Sequence, residues 1–168
     1  MKRINLGGNE RFEGGFSSPA LGDDFEHLDI RPLPGVTHVM DVRHLPDEWV
    51  GLYDEVRASH IIEHIHPSEA LATVKGWARI LKPGGLLRIY CPNSRMLAEE
   101  LVKGTIPIEQ FSRLIFGDQE YDLNLHRAAY DSVRLASLVS NAGMTILSCN
   151  PRRGTGGYIY DIGVQATK

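Results

Sequence analysis

The stretch RINLGGNE, residues 3–10, decides how the rest of the chain is read. Ile4 and Leu6 suit a short strand, and Gly7 and Gly8 follow at once. Glycine at the carboxyl end of a strand lets the backbone turn sharply and lets another group lie against bare peptide. In open α/β sheets ligands bind outside those strand ends. A turn without a ligand would use the same glycines, so the pair needs support from elsewhere in the chain.

That support starts with the spacing of apolar runs. Short β-branched stretches recur at Arg3–Leu6, His27–Ile30, Val36–Met40, Glu55–Ser59, Leu86–Cys91, Met144–Cys149 and Tyr158–Ala166, which reads as seven strands. Several are apolar almost throughout, the pattern of strands covered on both faces. Between them lie helical patterns. In PSEALATVKGWARILKPGG, Pro67 suits a first turn, while Ala70, Leu71, Val74, Trp77, Ala78 and Leu81 share a face before Pro83 and Gly84 stop the helix. Another helix starts at Asp131 as N-cap, carries Val133, Ala136 and Val139, and ends at Gly143. Residues 94–118 hold one or two more. Strand and helix in alternation predict a Rossmann-like, doubly wound α/β fold: a mostly parallel seven-stranded sheet in three α/β/α layers, built as a single domain over residues 1–168.

Composition narrows the function classes. A formal net charge of -3 supplies no diffuse positive field, so general nucleic-acid binding is not expected. No apolar run approaches a membrane span, and the opening MKRINLGGN lacks the apolar stretch of a signal peptide, so no membrane partner is expected. Cys91 and Cys149 lie in separate apolar runs without metal-ligand spacing, which fits core thiols in a reducing cytoplasm.

Two acids give the glycines company. Asp29 ends the second strand in HLDI, about twenty residues past the glycine turn, where such folds place a carboxylate on ribose hydroxyls. Asp41 ends the third in VMDV. A carboxylate accepts hydrogen bonds only, which matches vicinal hydroxyls or an exocyclic amine. A pyrophosphate cradle is not supported: the third and sixth positions counted from Gly7 are Asn9 and Phe12, and no GxxxxGK[ST] occurs. The reading is a nucleoside with a small zwitterionic tail.

Over INLGGN, LDI, MDVRHLP, YDEVRASHIIEHI and RILKPGGLLRIYCP the chain resembles the class I S-adenosylmethionine-dependent methyltransferases, particularly the small type-11-like members. HRAAYDSVRLASLVSNAGM is similar, more loosely, to a late helix of that family. The resemblance implies S-adenosylmethionine as cofactor and a small-molecule or sugar-like acceptor methylated on oxygen or nitrogen. It further implies that Gly7 and Gly8 flank the methionine part, that Asp29 holds the ribose, that Asp41 with the Val42 amide reads the adenine, and that Ser59 and His60 face the sulfonium, with Asn5, Leu6 and Ile30 also among the cofactor-binding residues. Asn5 stands where the family carries an acid and Asn9 where it carries a glycine, and NERFEGGFSSPALGDD replaces a longer crossover helix with a candidate flap. An alternative is a silent member of the fold, serving as a nucleoside-binding or partner subunit; a homodimer is compatible with either reading.

Methyl transfer from a sulfonium is an in-line displacement with the acceptor roughly 3 Å from the methyl, so the protein mainly positions. A base is needed only where the acceptor loses a proton. SHIIEHIHPSE offers His60, Glu63 and His64 on one face of a helical turn. A hydrogen-bonded structural turn, catalysis by His60 or His64, and metal binding all fit those residues; a complete ligand set is not evident, and no metal ligand is assigned. His126, in DLNLHRAAYD, is the other candidate base. The segment from Lys103 to Tyr130 is where an acceptor site would be built, with Phe111, Phe116 and Tyr121 as candidate lining. Arg152 and Arg153 beside Gly154, Gly156 and Gly157 read as a solvated loop or an anion site.

Overall fold

The computed structural model describes residues 1–7, 24–119, 121–153 and 160–168, with the backbone alone at 152 and 153. Its sheet strands are β1 (Arg3–Leu6), β2 (Phe25–Asp29), β3 (His38–Val39), β4 (Tyr53–Ser59), β5 (Leu81–Pro92), β6 (Thr145–Arg153) and β7 (Tyr160–Thr167). They form one seven-stranded sheet in the order β3-β2-β1-β4-β5-β7-β6. The first five are parallel, and β7 runs antiparallel to both β5 and β6. The sheet is therefore mixed, in the Rossmann-like doubly wound α/β class that the alternating pattern predicts.

The helices are α1 (Pro67–Ile80), α2 (Ser94–Val102), α3 (Ile108–Phe116) and α4 (Ser132–Asn141). Asp131 caps α4 by accepting the Arg134 N–H at 2.8 Å, and Gly143 follows with φ 86°, the left-handed ending that favours glycine. Two helix faces differ from the expected ones. Val133 is 75% exposed while Leu135 and Val139 are buried, and on α1 Leu71 stands outside the buried face that Val74 and Trp77 define. Leu81 is not helical: it pairs with Tyr53 and opens β5 ahead of the Lys82–Gly85 irregularity.

One face of the sheet is apolar. Ile4, Leu6, Val56, Ala58, Leu87, Ile89 and Val164 are fully buried there, against Val74 and Trp77 of α1 and Leu135 and Val139 of α4. Each such side chain contributes about 1.5–3 kcal/mol by leaving water. The other face is polar, because cross-strand partners Asn5, His27 and Arg57 share it and all are buried. The strands thus alternate rather than run apolar throughout, contrary to the expectation from composition. Cys91 lies in the core and Cys149 packs partly buried against it, both as free thiols.

A second, smaller cluster joins α2 and α3 around Leu97, Ile106 and Tyr160, with Phe111 packed against it. β3 is only two residues long; Thr37 clamps its approach by exchanging hydrogen bonds with the His27 backbone at 2.8–2.9 Å. No helix among the described residues is long and apolar enough to cross a membrane.

Candidate active site

Parallel strands bring their carboxyl ends to one edge of the sheet, and a cavity of about 840 Å³ opens there. Gly7 after β1, Asp29 and Ile30 at the end of β2, Asp41 and Val42 past β3, and Ser59 and His60 at the end of β4 all line it. His64 and His126 stand on its wall, as does Asp161. The antiparallel β7 pairs Asp161 with Pro92, which delivers its opening acid to the edge where β5 ends. Asn5 is fully buried and Leu6 faces the core, so neither is part of the wall. Gly8, Asn9, most of the candidate flap and Gly154–Gly157 lie outside the described residues.

Gly7 has φ 79°, and a Cβ built on it would overlap the Cδ1 and Cγ1 of Ile61. The bare peptide is therefore required by the backbone and by Ile61 alone, whatever the cavity binds. Its N–H extends the sheet by donating to the Leu28 carbonyl at 2.7 Å.

Both strand-end acids meet an arginine two residues on. Asp29 Oδ1 accepts from the Arg31 backbone N–H at 2.8 Å and from its Nε at 3.2 Å. Asp41 Oδ1 accepts from the Arg43 N–H at 2.9 Å and its Oδ2 from Nη2 at 2.6 Å. Hydrogen bonding to Arg43 outweighs burial and holds the Asp41 carboxyl below its usual range. The repeated Asp–Ile–Arg and Asp–Val–Arg triplets were legible in the sequence as a pair; only the acids were singled out. Arg31 also lies 4.8 Å over the ring of Tyr121, while Arg43 reaches Glu69 on α1. Trp77 of α1 donates its indole N–H to the Val42 carbonyl at 3.0 Å, which fixes the loop carrying Asp41.

At the other end of the cavity His60, with φ 53°, carries its ring between two carboxylates: Nδ1 is 3.2 Å from Glu63 and Nε2 3.1 Å from Asp161. Burial opposes a charge there, but the hydrogen bonds to Asp161 and Glu63 outweigh it and push the ring up to about 10. An imidazolium held this way has no lone pair to offer as a base at neutral pH. Glu63 is itself buried; burial would raise its carboxyl, yet His60 holds it below the usual range.

His64 and His126 meet edge to face with ring centroids 4.7 Å apart. Burial lowers the His126 ring below its ordinary value, against the pull of Glu63. Of the three aromatic residues expected to line an acceptor pocket, only Tyr121 reaches the wall; Phe111 packs with α2 and Phe116 is half exposed. Arg113 and Leu114 of α3 line it instead. Glu63 was named with His60 and His64 in the sequence, whereas Asp161 is the acid that sequence reasoning left outside the site; its place inside the apolar run YIYDIGV was the available signal.

No protein-family model and no curated protein sequence matches the chain. Solved structures do. The 1,6-didemethyltoxoflavin-N1-methyltransferase of Burkholderia thailandensis, bound to 1,6-didemethyltoxoflavin and S-adenosylhomocysteine, is 13% identical with TM-score 0.65 over 99% of this chain and 70% of that one. An S-adenosylmethionine-dependent methyltransferase of Mesorhizobium loti is 12% identical with TM-score 0.62, covering 99% and 90%. The N-methyltransferase NodS of Bradyrhizobium japonicum, bound to S-adenosylhomocysteine, is 10% identical with TM-score 0.58, covering 99% and 76%. The fold is that of the class I S-adenosylmethionine-dependent methyltransferases. The sequence resemblance and the backbone agree on the fold. Identities this low leave the chemistry to the residues themselves.

Proposed function

We propose that this chain binds S-adenosylmethionine in the cavity and transfers its methyl group to an oxygen or nitrogen of a small-molecule or sugar-like acceptor. One observation carries the reading: Gly7, Asp29, Asp41 and Ser59 come from four separate strand ends and converge on a single cavity in a methyltransferase fold. Asp29 receives the ribose hydroxyls, the Asp41 carboxylate with the Val42 amide reads the adenine, and Gly7 borders the amino-acid tail. Ser59 and His60 border the sulfonium. The acceptor enters between Leu114, Tyr121 and the His64–His126 pair, roughly 3 Å from the methyl carbon in line with the breaking C–S bond. The new bond takes the acceptor's lone pair, and the C–S electron pair stays on sulfur. His126 and His64, on the cavity wall, are the candidate bases for a departing acceptor proton, and His60 bridges Glu63 and Asp161.

Calorimetry of the purified chain with S-adenosylmethionine and S-adenosylhomocysteine tests this. Micromolar binding of both is expected, and silence at millimolar ligand overturns it.

A second reading has its own observation. Arg31 and Arg43 already hold both carboxylates, an arrangement that would also suit a catalytically silent partner subunit. Arg31→Ala separates the two: it takes the guanidinium from Asp29, whose Oδ1 keeps the residue-31 backbone N–H, so nucleoside binding persists or strengthens in an enzyme, while a chain that binds no nucleoside shows no binding with either residue.

A further inference from the structure

The cavity wall holds a cluster whose composition is that of a metal centre. Glu63, His64 and His126 each offer one ligand atom, and these atoms all lie within 4.8 Å of one another. Around a divalent ion with bonds of about 2.1 Å, neighbouring ligand atoms stand roughly 3–4 Å apart, so small side-chain rotations close the set. The geometry points to a binding site for a first-row divalent transition-metal ion formed by the carboxylate of Glu63 and the imidazoles of His64 and His126.

Three features support it besides proximity. Glu63 is 1% exposed, and the one imidazole beside it, His60 with Nδ1 at 3.2 Å, is shared with a second buried carboxylate, Asp161, at 3.1 Å. Two buried carboxylates around one imidazolium leave an excess of negative charge that a bound cation would offset. Second, His64 places Nδ1 at 3.3 Å from the Leu125 carbonyl, the outer contact that fixes a ligating imidazole and directs Nε2 outward. Third, the backbone locks the three together across a long separation in sequence. Arg127 and Ala128 both donate to the Glu63 carbonyl, at 2.7 and 3.1 Å, and the His126 N–H donates to the Phe116 carbonyl at 3.0 Å.

Two imidazoles and one carboxylate favour manganese, iron, cobalt, nickel or zinc over magnesium or calcium, and three protein ligands leave open positions. His64 and His126 line the cavity, so those positions face the acceptor. Resting on the methyltransferase reading, the ion would take the acceptor's hydroxyl oxygen. Coordination lowers the pKa of that hydroxyl and releases its proton to solvent; an oxygen lone pair then forms the O–C bond as the C–S bond breaks toward sulfur. The acceptor class this selects is an alcohol, enol or phenol rather than an amine.

Cobalt(II) is titrated into the tag-free, chelator-treated full chain, with visible absorption and calorimetry as readouts. One ion per chain with a d–d band is expected, weakened at least tenfold in His126→Ala and in Glu63→Gln and unchanged in His44→Ala, a surface histidine outside the cavity. No saturable binding to the parent chain, or equal binding by a folded His126→Ala, overturns the site. If Glu63→Gln does not fold, His126→Ala decides. S-adenosylhomocysteine binding measured without metal fails independently: its loss with cobalt binding intact overturns the cofactor reading and leaves the metal site standing.

Discussion

The Arg127 N–H donates to the Glu63 carbonyl at 2.7 Å, joining the loop before α4 to the turn after β4. Through that bond two segments about sixty residues apart, one with His60, Glu63 and His64 and the other with His126, become a single wall of the cavity. Asp29 and Asp41 line the same cavity. In the proposed function those acids meet the nucleoside and the histidine wall meets the acceptor.

Replacing Asp29 by alanine removes the carboxylate expected on the ribose. Cofactor binding weakens by about 1–3 kcal/mol through lost charge-assisted hydrogen bonds. Calorimetry with S-adenosylhomocysteine reads this directly, and an unchanged dissociation constant would remove Asp29 from the cofactor site.

His126→Ala acts at the histidine wall. Turnover falls well below that of the parent chain while the cofactor dissociation constant moves by less than about twofold, since the proposed function places the ring at the acceptor and not at the nucleoside. Single-turnover rates alongside calorimetry separate the two; the reverse pattern places His126 with the cofactor.

At Gly7 the expected effect is on stability. Left-handed backbone costs an alanine about 1–2 kcal/mol, and overlap with Ile61 adds about 1–3 kcal/mol. In an Ile61→Ala background the second part disappears, so urea unfolding of the four variants in a double-mutant cycle shows the double variant less destabilised than the sum of the two single ones. Additivity would mean that Ile61 does not set the requirement for glycine.

Far from the cavity, Glu26 gathers three donors: the Tyr53 hydroxyl at 2.7 Å, His38 Nε2 at 3.0 Å and Lys2 Nζ at 3.1 Å. Burial raises its carboxyl, but the hydrogen bonds from Tyr53, His38 and Lys2 prevail and leave it below the ordinary value of 4.5. A depressed folded value contributes stability above the unfolded value and loses it as the pH falls through the folded one. Tyr53→Phe therefore destabilises by about 1.5–3 kcal/mol near neutrality, and the gap to the parent chain narrows below about pH 4. Denaturant midpoints of both chains across that range test it; a gap independent of pH would show that Tyr53 acts through packing alone.

The strands were legible because burial imposes a period on the chain locally. Arg3–Leu6 was read with both bounds right, and β4 and β5 each begin earlier than the apolar pattern alone suggests, since Tyr53 pairs with Leu81 across a break in register. Helix faces were less legible: Val133 and Leu71 are apolar yet exposed, and helical spacing alone does not say which of two offset stripes meets the sheet.

By itself the sequence determined the α/β class, the order of elements, the glycine turn after the first strand, and the acid that tips the second; Asp41, expected to end the third, lies two residues past it. Tertiary structure decided the rest. Arg31 and Arg43 close on their acids because of local turns whose geometry residue identity does not state, and Ile61 occupies the space beside Gly7 from another strand's end. Asp161 reaches the site because β7 runs antiparallel, and His126 meets Glu63 and His64 because a backbone hydrogen bond spans a separation over which no periodicity in the sequence carries information.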